Sequence, residues 1–139
     1  MKDSLQPGIS HVLDYLVPPS KTVPNLYPNI DEYQAMPEVF ATGFFVGLVE
    51  LACIRAVNPH IDWPAEQTVG THVDLSHSAP TPPGMEVTVS AELTRKNGRQ
   101  LVFDVDARDE SETIGNGQHE RFVVDREQFQ ADANRKSER

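Results

Sequence analysis

The chain has 139 residues, room for one ordinary domain and one hydrophobic core that needs neither metal nor disulfide to form. Its formal net charge of -9 argues against nucleic acid as a partner, because phosphate binding takes clustered Lys and Arg. The lone Cys53 leaves no intrachain disulfide, the opening MKDSLQPGIS has no apolar signal core, and no stretch reads as the roughly 20 apolar residues of a bilayer span. The expectation is therefore a cytoplasmic chain without a membrane partner.

In chain order, His11 to Val17 alternates as a short strand that stops at Pro18-Pro19. Ser20 to Met36 reads as a long connection with one helical turn near Asp31 to Gln34. Connections of that length are uncommon in compact domains and often serve as lids or binding loops. From Pro37 onward Phe40, Phe44, Gly47, Leu48, Leu51 and Ile54 recur at three- and four-residue steps. That spacing predicts a helix beginning at Pro37 or Thr42 and ending near Asn58, before Pro59. Phe45, Val46, Val49 and Ala52 widen its apolar band until little polar face is left, so the helix is expected to be enclosed.

The second half is strand-like. Val69, Thr71, Val73 and Leu75 alternate with polar neighbours through Ser76, as do Val87, Val89, Ala91 and Leu93. Asn97-Gly98 signals a hairpin leading into Leu101, Phe103, Val105 and Ala107. Thr113 to Val124 is a further strand whose Gly115 and Gly117 predict a bulge or a close backbone approach. Asp125 is placed to cap a short final helix, and residues 131–139 read as a polar tail that frays.

These elements give an α+β fold: an antiparallel sheet of about five strands wrapped around one long central helix, the layout of a hotdog fold, in a single domain 1–139. Its open sheet edges predict a homodimer paired edge to edge.

Three polar residues stand out on this layout. Glu50 is a carboxylate in the most apolar segment, where a charge is tolerated when it is paired, solvated along a narrow stripe, or functional. His77 continues the Val73, Leu75 phase and is directed toward the helix, either as a satisfied core histidine or as a working base. Thr42 is an N-cap or a nucleophile. Thr42 and Glu50 are separated by about 12 Å along a helix and about 80° around it, so one imidazole has the reach to bridge hydroxyl and carboxylate. That imidazole belongs to the same subunit or to its partner. His11, His60, His72 and His119 have no metal-like spacing, and Cys53 reads as a packing residue.

The run Pro37-Glu38-Val39-Phe40-Ala41-Thr42-Gly43-Phe44, followed by Val46-Gly47-Leu48 and Glu50, resembles the helix of the fluoroacetyl-CoA thioesterase family. Val17-Pro18-Pro19, Leu26-Tyr27-Pro28, Gly70-Thr71, His77-Ser78-Ala79, Thr81-Pro82-Pro83-Gly84 and His119-Glu120-Arg121 continue the likeness in order, from about residue 8 to residue 130. The resemblance implies a hotdog dimer hydrolysing a short-chain acyl-CoA, with no metal and no cofactor beyond the CoA of the substrate. It implies Thr42, Glu50 and His77 as catalytic residues, Gly70 and Arg121 beside the acyl carbonyl or the carboxylate product, and Met36 and Phe40 as further substrate-binding positions. In the Thr/His/Glu scheme Thr42 attacks, His77 takes the proton, Glu50 orients His77 and the Gly70 N–H holds the oxyanion; in a variant Glu50 acts directly. One departure concerns selectivity: the family has a phenylalanine before the proline that is Pro37 here, and this chain has Met36. A hotdog enoyl-CoA hydratase or dehydratase and a non-catalytic acyl-CoA-binding module are the alternatives.

Overall fold

The computed structural model describes residues 1–138. In chain order it forms β1 (Ser10–Leu16), α1 (Asp31–Gln34), α2 (Thr42–Val57), β2 (Glu66–Leu75), β3 (Glu86–Asn97), β4 (Gln100–Arg108), β5 (Thr113–Asp125) and α3 (Arg126–Arg135). The five strands make one antiparallel sheet in the order β1-β3-β4-β5-β2, the hotdog architecture with α2 as its central helix.

Alternation builds the core. Val87, Val89, Ala91 and Leu93 of β3, and Leu101, Phe103, Val105 and Ala107 of β4, are all buried. They meet Phe45, Leu48, Val49, Ala52 and Cys53 of α2 in one apolar cluster. At the hairpin, Asn97 pairs with Gln100, and Gly98 supplies the one positive φ (+62°) as the first of the two turn residues.

Three strands carry an extra residue, Thr94 in β3 and one each in β5 and β2. In β5, Ala107 pairs with Gly115 and Arg108 with Thr113, which leaves Ile114 as a bulge beside Gly115. A Cβ at Gly115 would strike the backbone carbonyl of Ser76, and one at Gly117 would strike that of Asp74. These glycines therefore allow the close approach of β2 to β5 that their presence in a strand predicts. In β2, Gly70 pairs with Arg121 and His72 with Glu120, so Thr71 is the extra residue. This breaks the expected inner row Val69, Thr71, Val73 and Leu75. Thr68 and Gly70 face inward before the bulge, Leu75 is half-buried after it, and Val73 is 47% exposed.

Of the two expected starts, Pro37 and Thr42, the helix takes Thr42, with Ala41 as its N-cap residue. Two further expectations need correction. The helix is not enclosed, because the sheet covers only one side. Gly43 and Gly47 are exposed, and Phe44, Val46, Leu51 and Ile54 are half-buried. By length and composition Thr42–His60 passes for a membrane span, yet its buried side belongs to the core of the sheet. Finally, the tail expected to fray from residue 131 is helical through Arg135 and makes a further 3₁₀ turn over Lys136–Glu138. The side chain of Asp125 caps α3, accepting from the Gln128 N–H at 2.9 Å.

Candidate active site

The start of α2 is pinned from two sides. The Phe40 N–H donates to the Thr81 carbonyl at 2.8 Å and the Ala41 N–H to the Lys21 carbonyl at 3.1 Å. Thr81 is itself buried, and its hydroxyl donates to Asp109 at 2.9 Å. Burial alone would raise the Asp109 carboxyl; donation from the Ser111 and Glu112 N–H groups and from Thr81 outweighs that and holds it below its ordinary range. The first helical residue on this support is Thr42. Its hydroxyl caps nothing: Oγ1 lies 2.7 Å from Nδ1 of His77.

His77 follows β2 on a segment still paired to β5, where the Ser76 and Ser78 N–H groups donate to the Asn116 and Ile114 carbonyls. Ser76 and Ser78 are exposed, so His77 between them turns inward, in the direction its phase in the sequence predicts. Its ring lies 4.9 Å from that of Phe45. Burial depresses its pKa and keeps the imidazole neutral. Nε2 is buried and has no hydrogen-bond partner among the described residues. Thr42 and His77 thus form a hydroxyl–imidazole pair at bonding distance, with one ring nitrogen free.

Glu50 lies elsewhere. Two turns further along α2 it sits over the β2–β5 pair, where Oε2 accepts from Nη1 of Arg121 at 2.9 Å. Within one chain it therefore makes no bond to His77, contrary to the expected orienting role. The carboxylate keeps 38% side-chain exposure, while Arg121 beneath it has 3%. The neighbouring Glu120 takes no part in this pair and accepts from Gln100 at 2.6 Å. Four of the five N–H donors of Arg121 are taken within the protein: besides the bond to Glu50, Nε donates to the Thr68 hydroxyl at 2.8 Å, Nη2 to the Thr68 carbonyl at 2.7 Å, and Nη1 also to His119 at 3.0 Å. Gly70 completes the cluster. A Cβ there would lie 2.8 Å from Oε2 of Glu50, so the missing side chain makes room for the ion pair. Seven residues of strand, roughly 20 Å, separate Gly70 from His77, too far for its N–H to serve Thr42 in the same chain.

Met36, just beyond α1, is 49% exposed. Phe40 is buried against Phe45 and Tyr15 and lines a cavity of about 270 Å³ with Tyr15, Lys21, Gly43, Phe44 and Gly47. That cavity lies around α2 from Thr42 and does not include it. Lys21 sits 4.6 Å above the Phe44 ring. Burial pushes the Cys53 thiol up to about 12, so Cys53 packs and does not react. Among the described residues no three His, Cys, Asp or Glu are grouped to hold a metal ion. The buried His119 was missed in the sequence; the available signal was its place two residues from Arg121, on the same strand face.

The family model described as fluoroacetyl-CoA-specific thioesterase matches residues 21–127. The fluoroacetyl-CoA thioesterase of Streptantibioticus cattleyicolor is 47% identical over 137 residues, covering 99% of this chain and 98% of that one. A solved Thr→Ser mutant of a fluoroacetyl-CoA thioesterase, in complex with acetyl-CoA, superposes with a TM-score of 0.92 at 46% identity, covering 95% of this chain and 98% of that chain. A thioesterase superfamily member from Thermus thermophilus gives 0.84 at 27% identity, covering 98% and 96%. The hydroxyl–imidazole pair, the hotdog sheet and a likeness over nearly the whole length agree: the chain belongs to the fluoroacetyl-CoA-specific thioesterase family.

Proposed function

We propose that the protein hydrolyses a short-chain acyl-CoA to the free acid and CoA. The observation that carries this reading is the 2.7 Å contact between Thr42 Oγ1 and His77 Nδ1 in a chain of this family. Neutral Nδ1 accepts the hydroxyl proton as Oγ1 attacks the thioester carbonyl; the proton passes to the departing CoA thiolate, and water then cleaves the acyl-threonine ester with His77 again as base. No further cofactor enters this scheme. Glu50 supplies the acid of the site and Arg121, buried beneath it, holds that acid in place; direct contact of Arg121 with the product is disfavoured by its burial.

The protein works as a homodimer in this proposal. His77 has a buried nitrogen without a partner, Glu50 has an open carboxylate, residues 71–74 of edge strand β2 are exposed, and the outward face of α2 is apolar. A second chain joined at the β2 edge would bring its own Glu50 and Gly70 to the Thr42–His77 pair.

Thr42→Ala, His77→Ala and Glu50→Gln are each expected to lower kcat by about 100-fold or more in a thiol-release assay with short acyl-CoAs. Wild-type rates in all three end the reading. Running fluoroacetyl-CoA beside acetyl-CoA measures what the flexible Met36 does to selectivity.

A further inference from the structure

We infer that His119 is a positioning residue, a neutral imidazole that holds Arg121 and through it the Glu50 carboxylate; this rests on Glu50 acting as proposed above. His119 is fully buried on the inner face of β5. Its Nδ1 lies 2.8 Å from the His72 carbonyl. A carbonyl only accepts, so Nδ1 carries the proton. Its Nε2 lies 3.0 Å from Nη1 of Arg121. A guanidinium nitrogen only donates, so Nε2 presents its lone pair. Both contacts demand the same tautomer. An imidazolium would set an N–H against the Arg121 N–H, and burial, the first influence on this ring, disfavours it as well.

The two hydrogens of Nη1 are thus divided between Glu50 and His119, while Thr68 takes the opposite edge of the fork. His119 fixes the corner of the guanidinium that meets the working carboxylate. The bare backbone of Gly70 borders both partners, since a Cβ there would lie 2.8 Å from Glu50 Oε2 and 3.2 Å from His119 Cε1.

The test separates the acceptor from the space it fills. His119→Asn keeps a donor for the His72 carbonyl but is too short to accept from Arg121. His119→Gln reaches Arg121 with an amide oxygen, and His119→Leu fills the volume with no acceptor. Asn and Leu are expected to lower kcat about tenfold or more with KM within about twofold, and Gln to recover most of the loss. On a Glu50→Gln background, His119→Asn is expected to cost nothing further, because the carboxylate through which it acts is gone. Reduced kcat in Glu50→Gln with wild-type kcat in folded His119→Asn or His119→Leu overturns this inference alone. Equal losses from His119→Asn with and without Glu50 also overturn it, as a merely structural role. Wild-type kcat in Glu50→Gln removes the reading beneath it. Should the Asn variant fail to fold, the Leu and Gln pair carries the same comparison.

Discussion

A threonine at the start of a helix has two uses for its hydroxyl, and at Thr42 the choice is visible: the oxygen turns from the backbone to an imidazole 2.7 Å away. The acid response follows from the burial of that imidazole. Burial disfavours the imidazolium, so the folded pKa of His77 lies below its ordinary value near 6.5, and the neutral base persists to lower pH. The acid limb of kcat/KM is therefore expected below about pH 6.5; a limb at or above that value would rule out His77 as the base. Stability moves in the same direction. In the window between the folded and unfolded values the unfolded chain binds more protons at His77 and His119, so stability is lost as pH falls below about 6.5. Denaturant melts at pH 7 and pH 5.5 would record the loss.

Among the elements, β2 does most to shape the site. Residues 70 and 77 are an odd number apart, and a regular strand would send them to opposite faces. The extra residue Thr71 reverses the phase, so Gly70 meets the ion pair and His77 meets Thr42 on the same inner side. The glycines along this β2–β5 seam separate activity from stability. At Gly70 a Cβ meets the mobile end of Glu50, so Gly70→Ala is expected to cut kcat while leaving Tm within a few degrees. At Gly115 a Cβ meets the backbone carbonyl of Ser76 and the Phe45 ring, and neither gives way readily. Gly115→Ala is expected to destabilise by about 1–3 kcal/mol. Thermal melts and steady-state rates on the two variants would distinguish them, and the reverse pattern would contradict the packing described here.

For the molecule as a whole, one chain holds two clusters, Thr42 with His77 and Glu50 with Arg121, set apart along a single helix. If two copies build each site, a Thr42→Ala chain mixed with a Glu50→Gln chain regains activity, because one of the two sites in a heterodimer has every group intact. Random mixing would restore about a quarter of the wild-type rate. No recovery would place all three groups of the site within one chain. Sedimentation of the wild-type protein measures the dimer independently.

Local chemistry made much of this legible in advance. Strand alternation located β3 and β4 and their buried rows, the turn preference of Gly98 located the hairpin, and a carboxylate within an apolar helix marked Glu50. The one-turn helix at Asp31–Gln34 and the cap at Asp125 were readable because each depends on neighbours a few residues away. Tertiary contact decided the rest. Which cation takes Glu50, why β2 breaks phase and why His119 is buried all depend on residues 47 to 71 positions apart, and no local pattern encodes such distances. A carboxylate inside an apolar helix announces that a partner must exist; only the packed sheet determines that, within the chain, the partner is Arg121.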